Sequence, residues 1–208
     1  MKGMTVADIG TDHALLAILL IENKICPKVY ACDVAKGPLL AAKTNIGKAG
    51  LSELIPTVLS DGLKNVPKDA NACIIAGMGY MTAVEILEAS FERLSHMKQI
   101  IVEVNRDTIK MRAWISEHHF TIEDEAYIYD RNHDYIALSF SPKQHISYSK
   151  EELTIGPILI QRKDDDYRKY CKKQKEKIDA IMDQSKGNAF HLAQIKEEQS
   201  IYESYLKQ

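Results

Sequence analysis

The chain has 208 residues, of which 45% are hydrophobic and 27% are charged, and its formal net charge at pH 7 is −2. This composition predicts a globular protein with a sizeable buried core, and the near-neutral charge excludes a uniformly basic nucleic-acid binder. The longest apolar run, residues 14–21, is far shorter than the roughly 20 residues of a membrane-spanning helix, so we expect no membrane anchor.

The cysteines indicate a reducing compartment. Cys26, Cys32, Cys73 and Cys171 include no C-x-x-C pair, and no secretory segment is recognisable before them. We therefore expect free thiols and a cytoplasmic protein.

The first part of the chain alternates predicted strands and helices. Residues 6–9 read as a strand, and Asp12 is expected to cap a helix running to about Asn23, because its carboxylate can accept the free amides of a first helical turn. Arg112, in the helix predicted at 107–118, is interpreted as a surface residue. Further strands are predicted at 29–34, 54–59, 72–76 and 99–104, and further helices at 36–48, 82–94 and 107–118.

Two more predicted strands, 120–129 and 135–140, follow without a helix between them and are expected to form an antiparallel hairpin. Five strands alternating with helices and a closing hairpin predict an α/β fold. The sheet is expected to be doubly wound, mostly parallel, seven-stranded and Rossmann-like, with one reversed strand near an edge. We assign it to a domain of residues 1–155.

Residues 156–208 are predicted to form a second unit, a coiled-coil-like helical hairpin that turns at Lys186-Gly187-Asn188. Residues 161–208 hold 11 Lys and Arg against 9 Asp and Glu, whereas residues 1–160 hold 16 against 20. A basic cluster in the first helix is open to two interpretations, a phosphate-binding surface or a solvated helix face. The cluster is Arg168, Lys169, Lys172, Lys173, Lys175 and Lys177, and the helical seams are Tyr167, Cys171, Gln174, Ile178, Ile181 and Ser185, and Leu192, Ile195, Gln199, Tyr202 and Leu206.

The segment Asp8-Ile9-Gly10 ends the first strand with a turn glycine, as in dinucleotide-binding folds. The glycine fingerprint then breaks, because Asp12 stands where a later glycine would let the backbone approach a pyrophosphate. A carboxylate there repels a diphosphate but suits S-adenosylmethionine, which carries an ammonium and a sulfonium and no phosphate. Asp8, Gly10, Asp12 and His13 are therefore candidate cofactor contacts, and a purely structural turn is the alternative.

Acidic turns also follow the second and third strands. Asp33 lies 23 residues beyond Gly10, where a carboxylate can accept from the ribose hydroxyls of a nucleoside, with capping of the next helix as the alternative. Asp61-Gly62 offers an acceptor for an adenine amino group, although this dipeptide is also a common turn. Val34 and Gly62 complete these candidate cofactor segments.

The segment 76–80 is the candidate reaction centre, because its two glycines follow a strand and expose backbone groups to a planar substrate. A tight structural turn is the alternative. Met78 or Tyr80 would stack on a base, and Asn105, after the fifth strand, faces the same edge. We assign Ala76 and Gly77 to cofactor binding, and Gly77, Met78 and Asn105 to catalysis.

Metal or covalent catalysis is not indicated. The seven histidines show no metal-ligand spacing. No nucleophile stands in a pattern with a general base. We therefore expect neither a metal ion nor a covalent intermediate.

Together these motifs resemble the bacterial tRNA (adenine22-N1)-methyltransferase family, a class I methyltransferase domain with a C-terminal helical hairpin. The resemblance spans nearly the whole chain and rests on residues 6–14, Gly37-Pro38, Asp61-Gly62, residues 76–79 and residues 156–159. It implies S-adenosylmethionine as cofactor and tRNA as substrate. The implied cofactor contacts are Asp8, Gly10, Asp12, His13, Asp33, Asp61 and Gly77. Tyr80, where the family has Gly, and Glu103-Val104-Asn105, where it has Gln-Pro-Asn, depart from the pattern.

The leading hypothesis is transfer of the sulfonium methyl to N1 of adenine 22 in tRNA. Neutral adenine already presents a lone pair at N1, so catalysis is expected to be positional, with backbone groups near Gly77 holding the base edge. The hairpin is expected to bind tRNA, and the chain to be a monomer, with dimerisation through the hairpin as the alternative. The rivals are a methyltransferase of small molecules and a catalytically weakened tRNA-binding relic, which Tyr80 suggests.

Overall fold

The computed structural model describes residues 1–143, 146–184 and 189–208, with side chains described outside 183–191. One seven-stranded sheet forms its centre. The strands are β1 (Thr5–Ile9), β2 (Lys28–Asp33), β3 (Thr57–Leu59), β4 (Ala72–Met78), β5 (Gln99–Val104), β6 (Thr121–Asp130) and β7 (His133–Ser141).

The strand order is β3-β2-β1-β4-β5-β7-β6. All pairs formed between strands β1 to β5 are parallel. Strand β7 is antiparallel to both β5 and β6. The two-residue turn between β6 and β7 consists of Arg131 and Asn132, whose φ angles of 46° and 65° match a tight β-hairpin turn. The predicted mostly parallel Rossmann-like sheet with one reversed strand near an edge is confirmed.

Helices cover both faces of the sheet. Side chains alternate along β1, so Val6 packs with α1 and α2 on one face while Ala7 joins the larger core on the other. That larger core also contains side chains of α3, α5 and the C-terminal helices. The helices are α1 (Leu15–Glu22), α2 (Lys36–Lys48), α3 (Tyr80–Ala89), α4 (Phe91–Leu94), α5 (Thr108–Glu117), α6 (Lys150–Ile155), α7 (Leu159–Arg162), α8 (Asp165–Gln184) and α9 (Ala189–Lys207).

Three element boundaries differ from the sequence prediction for local reasons. Strand β3 begins at residue 57 and not at 54, since Pro56 has no N–H to donate to a neighbouring strand. The single helix predicted at 82–94 is interrupted at Ser90, whose φ of −116° separates α3 from α4. Helix α6 was not predicted, although Ser149 and Glu152 form the reciprocal capping box that marks its start.

The C-terminal helices are integrated with the sheet domain. Tyr167 and Cys171 of α8, and Tyr202 and Tyr205 of α9, are buried in the larger core. Ile181 of the predicted seam is instead 49% exposed. The seam residue Ser185 and the predicted turn Lys186-Gly187-Asn188 lie outside the described residues.

The cysteines agree with the expectation from the sequence. All four cysteines are free and buried, which confirms the prediction of unpaired thiols. Within the described part of the chain, no helix combines the length and the apolar character needed to cross a bilayer.

A buried ion pair joins α5, β6 and the segment that leads into the C-terminal helices. Arg112 Nε donates to Glu125 Oε1 at 2.7 Å, with both side chains almost fully buried, so Arg112 is not the surface residue that was predicted. Arg112 Nη1 also donates to two carbonyls of α6, at 3.1 and 3.2 Å. Glu125 Oε2 accepts from the N–H groups of Ile158 and Leu159 at 2.9 and 3.2 Å. This guanidinium and carboxylate therefore satisfy backbone groups of α6 and of the start of α7.

The chain passes this ion pair at Gly156, where no side chain fits. A Cβ atom there would lie 2.6 Å from Glu125 Oε2, and the φ of Gly156 is 110°, which side chains rarely adopt. Gly156 thus lets the backbone between α6 and α7 approach the buried charges closely.

We expect Glu125→Ala to lower the free energy of unfolding by about 3–5 kcal/mol, because it leaves the buried Arg112 charge uncompensated. Urea denaturation followed by circular dichroism measures this loss. Asp130→Ala is the matched control on the same strand, since Asp130 is exposed 3.8 Å from Arg131, and it should cost less than about 1 kcal/mol. Equal losses in the two variants would contradict the structural role of Glu125.

Candidate functional site

The carboxyl ends of β3, β2, β1, β4 and β5 meet at one edge of the sheet, where parallel folds place their ligands. Direct contacts connect the segments that follow these strands. The Gly10 N–H donates to Cys32 O at 2.9 Å, and the Asn105 N–H donates to Met78 O at 3.0 Å. The Met78 side-chain methyl packs against Gly10, since a Cβ atom on Gly10 would lie 2.2 Å from it. The predicted cofactor and reaction segments are therefore brought together.

Asp8 is a buried carboxylate near the end of β1, with 6% of its surface exposed. Thr11 Oγ1 donates to Asp8 Oδ2 at 2.6 Å. Burial raises the pKa of Asp8 to about 6, and the hydrogen bond from Thr11 opposes this rise. A carboxylate desolvated to this degree favours pairing with a cationic group.

The turn after β1 differs from the prediction at Asp12. Helix α1 starts at Leu15, and the Asp12 side chain, 81% exposed, lies 3.3 Å from the His13 imidazole and does not cap the helix. The reason is that His13 and Ala14 both adopt left-handed backbone angles, with φ of 58° and 56°, which turn the chain before the helix begins. Asn45 Nδ2 of α2 donates to His13 O at 3.0 Å and supports this strained turn. The Asp12 carboxylate is consequently accessible to a ligand.

The Asp33 carboxylate is partly engaged within the protein. Its Oδ1 accepts from the Ala35 N–H at 2.8 Å, but helix α2 has no side-chain cap, so Asp33 does not cap it as the alternative required. Within the described residues its Oδ2 has no hydrogen-bond partner, which leaves an acceptor for a ribose. The adjacent Val34 side chain is 71% exposed at the same edge, where an apolar side chain can cover a ring.

Asp61-Gly62 likewise forms a turn and leaves a free acceptor. Ser60 Oγ donates to Gly62 O at 2.8 Å and accepts from the Asn65 N–H at 3.0 Å, which holds the turn from inside. The exposed Asp61 carboxylate has neither a hydrogen-bond nor an ion-pair partner in the described part of the chain. Both interpretations of this dipeptide are therefore compatible.

Strand β4 extends to Met78, two residues beyond the predicted end at Ala76. Its pairing with β5 is irregular between Ile75 and Met78, which marks a β-bulge. Gly77 sits in this bulge with a φ of 72°, a conformation that bulges of this kind assign to glycine. Ala76 and Gly77 are both exposed there, so the bulge presents backbone to the edge of the sheet.

Two side chains hold the Gly77 peptide. Its N–H donates to Glu103 Oε2 at 2.8 Å, and its carbonyl accepts from Asn105 Nδ2 at 3.3 Å. The N–H is thus engaged within the protein, while the carbonyl keeps a second lone pair with which a base edge can still bond. Motif analysis named Glu103 only as a departure from the family pattern and gave it no role, although its spacing of two residues from Asn105 is the strand period that places side chains on one side.

The chemistry of this edge fits S-adenosylmethionine. Its carboxylates are the buried Asp8, the half-buried Asp33 and the exposed Asp12 and Asp61. These acceptors match the ammonium, ribose hydroxyls and amino group of that cofactor and would repel a pyrophosphate. Among the residues that the structure describes, no group of three or more His, Cys, Asp and Glu side chains is arranged to hold a metal ion.

A parallel Rossmann-like sheet with an acidic ligand edge in place of a phosphate loop defines the class: an S-adenosylmethionine-dependent methyltransferase. A family model described as tRNA (adenine(22)-N(1))-methyltransferase, TrmK, matches residues 6–204. The chain therefore belongs to the tRNA (adenine(22)-N(1))-methyltransferase family, and the resemblance read from its motifs is confirmed.

Individual relatives agree with this assignment. The tRNA (adenine(22)-N(1))-methyltransferase of Bacillus subtilis (strain 168) is 28% identical over 189 residues, covering 88% of this chain and 79% of the relative. The structure of M. capricolum TrmK in complex with S-adenosyl-homocysteine is 27% identical, with a TM-score of 0.84, and covers 99% of this chain and 92% of that one. Streptococcus pneumoniae Sp1610 in complex with S-adenosyl-L-methionine is 25% identical, with a TM-score of 0.88 and coverage of 99% and 93%.

The raised pKa of Asp8 predicts a pH-dependent stability. The folded state holds the Asp8 proton more tightly than the unfolded chain, whose pKa is 3.8, so this stabilisation is complete below that pH and is lost as the pH rises through about 6. Asp8→Asn should therefore exceed the wild type at pH 7 by about 2–3 kcal/mol in free energy of unfolding. The difference should shrink by more than half at pH 4.5. Urea denaturation at the two pH values measures it, and equal stabilities at pH 7 would refute the prediction.

Proposed function

We propose that the chain transfers the methyl group of S-adenosylmethionine to N1 of adenine 22 in tRNA at the edge just described. The observation that carries the proposal is the juxtaposition, in a chain of this family, of the acidic cofactor segments with the Gly77 bulge. The packing of the Met78 methyl on Gly10 supports it, because this contact joins the first cofactor turn to the reaction segment.

We assign the carboxylates their roles from their position and from the oxygens that have no partner among the described residues. The free Oδ2 of Asp33 accepts from the ribose hydroxyls, and the exposed Asp61 accepts from the adenine amino group of the cofactor. Asp8 and Asp12 face the cationic methionine end. Val34 covers the adenine ring. The Asp33 Oδ1 bond to Ala35 and the turn at Asp61-Gly62 leave these acceptors free, so they do not compete with these roles.

The reaction needs alignment more than acid–base chemistry. When bound, the cofactor supplies an electrophilic methyl group on a sulfonium, and N1 of neutral adenine supplies the lone pair. No proton has to be removed before N1 attacks, so the protein's tasks are to orient the base, exclude water and keep the reacting atoms in line. Glu103 and Asn105 contribute by fixing the Gly77 peptide, against which the base is positioned.

The target adenine must leave its stack to reach this edge, and RNA contacts have to offset that cost of a few kcal/mol. We assign these contacts in part to the basic cluster of α8, although much of it is already neutralised. Lys169, Lys173 and Lys175 pair with carboxylates, and Arg168 donates to carbonyls of α9. In the described part of the chain, Lys172 has no such partner and is the lysine most available to a phosphate.

Oligomeric state and location follow from the same features. The apolar side chains of α8 and α9 that a dimer would need are largely buried within the chain, so we infer a monomer. The dimer through the hairpin is the less supported alternative. Free thiols and a tRNA substrate are consistent with a cytoplasmic location.

The proposed activity predicts that methyl-labelled S-adenosylmethionine and bulk tRNA yield 1-methyladenosine at position 22. Nucleoside digestion, mass spectrometry and primer-extension mapping measure it. A tRNA with guanine at position 22 is the matched control and should stay unlabelled, because guanine N1 carries a proton in place of a lone pair. Binding of tRNA without transfer would favour the relic, and absence of both would favour a small-molecule acceptor.

We further expect Glu103→Ala to lower kcat by about 10- to 100-fold, because the Gly77 peptide loses its acceptor and the base is misplaced. The KM for S-adenosylmethionine should change much less. Glu103→Gln keeps an oxygen that accepts from the Gly77 N–H and should retain most of the activity. Steady-state kinetics on tRNA separate the two variants. If Glu103→Gln lost as much as Glu103→Ala, the carboxylate charge and not the hydrogen bond would be responsible.

A further inference from the structure

A cavity separate from the cofactor edge lies between the end of β5, the β6–β7 turn and the C-terminal helices. Its volume is about 780 Å³, within the range of small-molecule binding sites. Asn105 lines it, so it adjoins the reaction edge. Lys110, another lining residue, lies 5.9 Å above the Tyr80 ring and forms a second connection to that edge. None of the roles assigned so far uses this space.

The cavity walls carry hydrogen-bonding groups that the protein leaves unused. Tyr135, Tyr170, Tyr202 and Glu198 line it. Within the described residues, none of the three hydroxyls and neither oxygen of the Glu198 carboxylate has a hydrogen-bond partner. Burial raises the pKa of Glu198, as expected of a carboxylate without a donor. Glu198 is only half-buried, so its unpaired carboxylate is an acceptor that a ligand with a hydrogen-bond donor can reach from the cavity.

Aromatic surface and positive charge accompany these acceptors. Tyr170 and Glu198 line the same cavity, and burial raises the pKa of Tyr170 to about 12. Arg106 lines the cavity, is exposed, and forms no ion pair among the described residues. Lys177 also lines it and contacts a glutamine at 3.4 Å, with no carboxylate partner among the residues that the structure describes. Rings, an acceptor and free cations are the combination that binds an unstacked nucleotide of RNA.

We propose that this cavity binds a second nucleotide of the tRNA, a neighbour of the methylated adenine, whose base stacks on tyrosine and donates an exocyclic amine to Glu198. Arg106 and Lys177 contact its phosphates. Extrusion of the target adenine removes a stacking partner from its neighbours, and the cavity beside Asn105 replaces that lost stacking. The proposal rests on the proposed function, since it takes tRNA as the substrate.

The test measures tRNA binding by fluorescence anisotropy in the presence of S-adenosylhomocysteine, with single abasic nucleotides introduced on either side of position 22. At one of these positions the wild type should bind about tenfold more weakly. Glu198→Ala removes the acceptor, so it should bind unmodified tRNA about tenfold more weakly and lose nothing further at that abasic position. This non-additivity is the signature of a direct contact.

Glu203→Ala is the matched control, since Glu203 lies on the same helix but pairs with Lys175 at 3.3 Å outside the cavity, and it should bind like the wild type. Tyr170→Phe, which removes one hydroxyl and keeps the ring, should weaken binding less than Glu198→Ala. Glu198→Ala binding equal to wild type, or losses that multiply at every abasic position, would overturn the proposal. Failure of the proposed function shows separately, as wild-type protein that leaves adenine 22 unmethylated in tRNA.

Discussion

The ion pair of Arg112 and Glu125 is the constraint on which the arrangement of the two parts of the molecule depends. It lies where α5, β6 and the segment around Gly156 converge, and its charges satisfy two carbonyls of α6 and two N–H groups at the start of α7. A pair this deeply buried contributes little net free energy compared with apolar packing, yet it strongly disfavours any arrangement that separates its partners. The geometry of the C-terminal helices, and with it the cavity beside Asn105, follows from this junction.

The bulge in β4 is a second structural constraint. Without side-chain contacts, the backbone at Gly77 could adopt many other conformations, because glycine is the most flexible residue. Glu103 and Asn105 remove this freedom by engaging its N–H and its carbonyl. An enzyme that needs no general base gains most from such rigidity, since positioning is then the main contribution of the protein to the rate.

Charge is distributed to match the two ligands. Carboxylates collect at the cofactor edge, where desolvation of Asp8 strengthens its preference for a cation. Arg106 and Lys172, which form no ion pair with any residue that the structure describes, lie toward the C-terminal helices, where RNA phosphates are expected. In the basic cluster of α8, the number of lysines overstates the positive charge available to RNA, because half of the cluster's members are already paired with acidic neighbours.

The sequence by itself determined the alternation of strands and helices, the reversed β7 strand and the acidic turns at Asp8, Asp33 and Asp61, because each depends on neighbours along the chain. Residues far apart in sequence decided the rest. A sequence-based prediction places a charged residue at the surface, because its partners are not known. Only the tertiary structure therefore shows that Arg112 is buried against Glu125 and that Glu103 binds the Gly77 N–H. The left-handed turn at His13 likewise overrode the expected cap at Asp12, because packing against α2 outweighs local helix preference. The cavity at Glu198 exists only once α9 has docked on the sheet.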